Sequence, residues 1–241
     1  MSSNNERTAP NNDGAATGND EIANLRAAIS GSSAVAYVPT LTAQMKEDVI
    51  YSTLLAQIAA DKKFSGRPID KVEEWQEHYW TVLDDLGWIT EDNRLTEIGY
   101  ANEFSSVDGL VMQIEGPHLQ GAERLLFAEM LSALREPENS DALEVFDKAA
   151  AHGQEAGFQV GVVTNWMGKA MFKLGTHQYR SSDAVTSPLY FDIESAKIER
   201  YFAGHRTMIL DESVYANVRY AVRDKVNAEN GEDLIKAIET S

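Results

Sequence analysis

The chain reads as an α+β protein: a helical N-terminal two-thirds, a small antiparallel sheet over about 158–210, and a closing C-terminal helix. Three observations predict this. Apolar residues recur at helical spacing through most of the first 150 residues. The period changes to two in FQVGVVTNWMGKAMFKLG, 158–175, where Phe158, Val160 and Val162 alternate with Gln159, Gly161 and Val163. The strands then follow one another instead of alternating with helices, the order of an α+β chain.

Residues 1–20 contain no aliphatic side chain larger than alanine apart from Met1, so they predict a disordered tail. Residues 21–241 then form a single globular domain, with 21–153 helical and 154–241 β-rich. EIANLRAAI predicts a short helix ending at Gly31, and AVAYVP a brief strand closed by Pro39. Thr42 is placed to cap a helix whose apolar face runs through Met45, Val49, Leu54 and Ile58 to about Lys62. A second helix over 69–88 carries Ile69, Val72, Trp75, Tyr79, Val82, Leu83 and Leu86, with Gly87 as its stop. WITEDNRLTEIG then reads as a tight hairpin.

Helices follow from Val107 to Gly116-Pro117, from Leu119 to Arg135, and from Ser140 towards Gly153. After the 158–175 hairpin, LYFDIESAKIERYF at 189–202 reads as a strand whose alternation slips near Ser195. Gly204 marks a turn, and Asp211 caps a helix with Val214, Val218, Val222 and Val226 in line. A short amphipathic tail, EDLIKAIE, closes the chain.

The segment LGWI, a polar turn and RLTEIG resembles the helix-plus-wing of winged-helix regulators. That resemblance implies DNA binding by the 69–88 helix. Glu73, Glu74, Glu77, Asp84 and Asp85 on that helix would meet phosphates with the wrong charge.

Composition removes several functions. There is no cysteine, which excludes disulfides, thiolate nucleophiles and zinc–thiolate sites. A net charge of −17, from 38 acidic and 21 basic residues, speaks against nucleic acid and against anionic lipid as partners. No stretch is a secretory signal or a spanning helix, which predicts a protein that stays in the cytoplasm or leaves without a classical signal.

Catalytic motifs are missing too. There is no GxGxxG, HExxH or GxSxG, and the spacing of Gly161 and Gly168-Lys169 is wrong for a phosphate loop. Glu115-x-x-His118 has the spacing of a metal-ligand pair, but Gly116 and Pro117 keep the two off one regular helix face. His78, in a glutamate-rich helix, reads as a paired surface residue, and His205 as a turn residue beside a cleft. No cofactor and no metal are expected.

The remaining reading is a non-enzymatic protein that acts by self-association or by binding another protein, with a homo-oligomer expected. Its candidate contact residues are Phe158, Val160, Val162, Trp166 and Phe172 of the β-region and Trp75, Trp80 and Trp88 of the aromatic helix. Phe158, Val160, Val162, Ala170, Phe172 and Leu174 are expected to share one apolar face. The alternative is a membrane-active toxin or toxin component that uses the 158–175 hairpin. A hydrolase built on His205 or His118, and a winged-helix regulator, are further alternatives.

Overall fold

The computed structural model describes residues 24–90 and 95–240. Its centre is one mixed nine-stranded sheet in the order β3-β8-β7-β6-β2-β1-β9, with β4 added to β8 and β5 to β6. The strands are β1 (Ala27–Ser30), β2 (Ser33–Tyr37), β3 (Trp88–Thr90), β4 (Thr96–Glu97), β5 (Ala151–His152), β6 (Glu155–Trp166), β7 (Lys169–Ser181), β8 (Ile198–Leu210) and β9 (Ile235–Ala237). The expected small sheet after a helical two-thirds is therefore corrected. The sheet spans the described chain, and residues near both ends sit side by side in it.

Seven α-helices occur among the described residues: α1 (Ala43–Phe64), α2 (Val72–Asp85), α3 (Val107–Glu115), α4 (Ala122–Ala133), α5 (Ser140–Ala150), α6 (Glu212–Tyr215) and α7 (Arg219–Ala228). They cover both faces of the sheet. Val107, Leu110, Phe127, Met130 and Phe146 of α3, α4 and α5 pack with Ile29, Ala34, Phe158, Val160, Tyr179 and Tyr201. On the other side Val49, Leu54, Trp75, Tyr79, Tyr215 and Val226 of α1, α2, α6 and α7 pack with Val35, Val163, Phe172, Leu174 and Met208. A sheet buried on both faces shows long apolar runs in place of clean alternation. Its extent is therefore understated by the local pattern of the sequence.

Several local expectations change for related reasons. EIANLRAAI does not stay helical: Ala27–Ser30 is strand, folded back on Ser33–Tyr37 through a two-residue turn in which Gly31 adopts φ +58°. Gly204 makes no turn, because β8 runs straight through it. The strand expected at 189–202 begins only at Ile198, and the tail EDLIKAIE supplies the edge strand β9. The two arms of WITEDNRLTEIG both pair with β8, not with each other. The polar turn between them, and the N-terminal tail, lie outside the described residues.

Helix boundaries were easier to read. Thr42 caps α1, its hydroxyl accepting from Met45 N–H at 3.2 Å. Two buried charges tie the helices together. Asp48 of α1 accepts two bonds of 2.8 Å from Arg219 of α7. Arg67 stacks on Trp75 at 4.3 Å and donates to the Gly157 carbonyl at 2.9 Å.

The register corrects the expected apolar face of the hairpin. Val162 pairs with Lys173, Val160 with Gly175 and Phe158 with His177. Phe158, Val160 and Val162 therefore point to the α3–α5 side, whereas Ala170, Phe172 and Leu174 point to the α1–α2 side. The two apolar sets lie on opposite faces.

Candidate functional site

The β6–β7 hairpin turns in two residues, with Trp166 opposite Lys169 and Met167 and Gly168 both at positive φ, +51° and +82°. That is the type I′ pattern, whose twist suits a hairpin but whose first position disfavours a long side chain. Met167 nevertheless stands there, 84% exposed, beside Trp166, which is 43% exposed. Next to them is a cross-strand row: Met171 pairs with Ile209, and Ile209 with Ile89, which is 60% exposed. Val214 of α6 lies beside it, since a Cβ on Gly87 would fall 2.8 Å from the Val214 Cβ. Of the seven exposed large apolar side chains among the described residues, four thus gather at this one end of the sheet.

Register parity places Trp166, Met171, Ile209 and Ile89 on the face that α3, α4 and α5 cover further along. The next rows of that face carry Lys173 and Thr207, then Gly175 and His205, then His177 and Ala203. Lys173 reaches Glu123 of α4 at 2.6 Å, close to where the helical cover begins.

Under that cover lies a line of polar groups. Glu115, the last residue of α3, is 2% exposed, and its Oε2 accepts from His205 Nδ1 at 2.7 Å. His177 Nε2 lies 3.2 Å from Oε1, facing the carboxylate although off a hydrogen-bonding line. With that nitrogen turned to the carboxylate, His177 Nδ1 accepts from the Tyr201 hydroxyl at 3.0 Å. The His118 ring stacks on His205 at 4.0 Å and 10° and is exposed to solvent. The line therefore runs from the surface at His118 to the core at Tyr201.

Gly175 makes the line possible. A Cβ there would lie 2.3 Å from the Glu115 carboxyl carbon, so only glycine leaves the space. Burial pushes the Glu115 carboxyl up, but the two facing imidazoles outweigh it and hold the group down at about 2. Burial, followed by the His205 charge, lowers His118; Glu115 pulls the other way, and Lys173 adds a smaller lowering.

The sequence-selected residues fall in different places. Phe158, Val160, Val162, Phe172, Trp75, Trp80 and Trp88 are all buried, and Trp166 alone of that set is exposed. His205, His118 and Glu115, weighed one by one in the sequence, are brought together by α3 and β8. His177 was passed over; its position opposite Phe158 inside an apolar hairpin was the available signal. Among the described residues no cluster of three or more metal-ligating side chains occurs, and no helix is long and apolar enough to cross a membrane.

No family model matches the chain, and no curated protein matches it. Among the solved structures that resemble it distantly are the following two. One is described as the structure of the Evf virulence factor, at 14% identity over 89% of this chain and 86% of that one, with a TM-score of 0.32. The other is a delta-endotoxin, at 6% identity over 88% and 83%, with a TM-score of 0.40. Likeness at this level assigns no function.

Proposed function

We propose that the protein is membrane-active and docks the Trp166–Met167 end of its sheet into the interface of a neutral bilayer. The observation that carries this is the gathering of Trp166, Met167, Ile89 and Val214 at one end of a protein whose other large apolar side chains are mostly buried. Tryptophan at a wet, apolar boundary suits lipid headgroups, where the ring is half-buried and its N–H stays hydrated. The net charge of −17 favours neutral over anionic lipid.

Strand length supports the reading but also limits it. β6, β7 and β8 have 12, 13 and 13 residues, more than the ~9–11 a tilted spanning strand needs. Their side chains, however, do not keep one lipid-facing side. On the α1–α2 face Val163, Phe172, Leu174 and Met208 near the tip give way to buried Gln159, Thr176 and Gln178 farther along. The tip is suited to entering one leaflet, and full spanning would place those amides against hydrocarbon.

Co-sedimentation with phosphatidylcholine vesicles, together with dye release, tests this. Trp166→Ala and Met167→Ser should each weaken binding roughly tenfold, the effect of about 1.4 kcal/mol of lost apolar burial. Wild-type protein that ignores vesicles would end the proposal. A defined oligomer in light scattering without lipid would instead favour a second copy as the occupant of this surface.

A further inference from the structure

We propose that His118 is a proton-operated latch: protonated, it loosens the 116–118 turn from the sheet and enlarges the apolar docking surface, so membrane docking strengthens in acid. This rests on the membrane reading for its consequence, though not for the latch itself.

The argument begins with what holds the turn down. Residues 116–118 form a single 3-10 turn following α3, with Leu119 packed beneath it in the core on that side. Two contacts pin this stretch to β8: the Glu115–His205 bond at 2.7 Å and the stack of His118 on His205 at 4.0 Å. The first lies inside the fold. The second faces water, where a proton has ready access.

Burial first, and then the His205 ring it faces, resists a proton on His118, with Glu115 pulling the other way. β8 contributes His205, with Tyr201 deeper along the line, and β7 contributes Lys173 and His177. α4 contributes Glu123, held by Lys173, and Arg124, whose guanidinium lies 3.5 Å from where a Cβ on Gly116 would stand. α3 contributes Glu115, the one carboxylate facing the pair, and its oxygens are engaged by His205 and His177. A cation on His118 would thus be partly desolvated against the His205 ring, with its nearest carboxylate already engaged by His205 and His177. The lowered affinity of His118 for a proton agrees with this.

The sign follows. A histidine whose folded value is depressed favours the latched form above its ordinary 6.5. That contribution is lost as pH falls from there through the lowered folded value. Once the ring leaves His205, the turn is free to lift Leu119, which packs in the core on that side. Leu119 would extend the uncovered row of Met171, Ile209 and Ile89.

The test compares wild type with His118→Phe, which keeps an aromatic ring over His205 but takes no proton. Binding to phosphatidylcholine vesicles is measured at about pH 7.5 and about pH 5, the range in which histidine changes charge. Amide exchange of residues 112–119 is followed by mass spectrometry at both. Wild type should bind several-fold more tightly in acid and exchange faster over 112–119, and His118→Phe should do neither. A variant that keeps the full acid response overturns the latch. If wild type binds no vesicles at either pH, the docking reading fails, and exchange alone decides the latch. Acid-accelerated exchange in wild type, absent from His118→Phe, upholds it; unchanged exchange in wild type overturns it.

Discussion

Gly175 and Glu115 show how a single side chain sets local chemistry. With a carboxyl carbon 2.3 Å from the would-be Cβ, Gly175→Ala must displace either β7 or the end of α3. Overpacking of this kind costs about 1–3 kcal/mol, readable as a shift in the urea midpoint. Glu115 gives a pH signature of its own. Its folded value of about 2 is below the ordinary 4.5, so its contribution is complete above 4.5 and disappears as pH falls through that window. On linkage grounds this is on the order of 3 kcal/mol. Glu115→Gln should flatten that part of the stability profile, and identical profiles would show that the carboxylate does not fasten α3 to the sheet. The sequence shows glutamate and histidine three apart, but a register joining residues 175 and 205 is needed to see what they surround. What His177 faces is hidden for the same reason: its partner Glu115 comes from another layer.

At the level of elements, the hairpin turn joins stability to the proposed docking. Met167 adopts φ +51°, a conformation costly for a long side chain and easy for asparagine. Met167→Asn should stabilise the fold by about 0.5–1 kcal/mol while weakening vesicle binding, two effects of opposite sign in one variant. Loss of stability would mean that the methionine packs against its own protein. Helices such as α2 were legible because they have a solvent face: α2 alternates Trp75, Tyr79 and Leu83 inside with Glu73, Glu77 and Asp85 outside. Strands with two buried faces have no such contrast. Ile235–Ala237 is not legible as a strand because it pairs with β1 at the other end of the chain, and Ala27–Ser30 because it is buried throughout and shows no alternation.

Across the whole molecule the charge decides which bilayers are approached. At low ionic strength, binding to neutral vesicles should exceed binding to vesicles containing phosphatidylserine. Added salt should narrow the gap, because screening removes the repulsion of a −17 protein from an anionic surface. Equal binding at low salt would place the contact on a locally basic patch instead. Composition alone conveyed this much, whereas the three-layer arrangement depends on contacts between distant segments that no local window contains. One of these contacts also governs how the chain comes into being. β2 and β6 are the parallel pair at the middle of the sheet, and Ser33 meets Gln159, 126 positions later. A ribosome adding about 5–20 residues per second leaves roughly 6–25 s between the two emerging. Throughout that delay the inner edge of β2 has no neighbour, and a loop this long makes its closure a slow event even in the released chain. Newborn copies stalled before β6 would offer that edge to one another, so the moment of greatest risk to this protein precedes its completion.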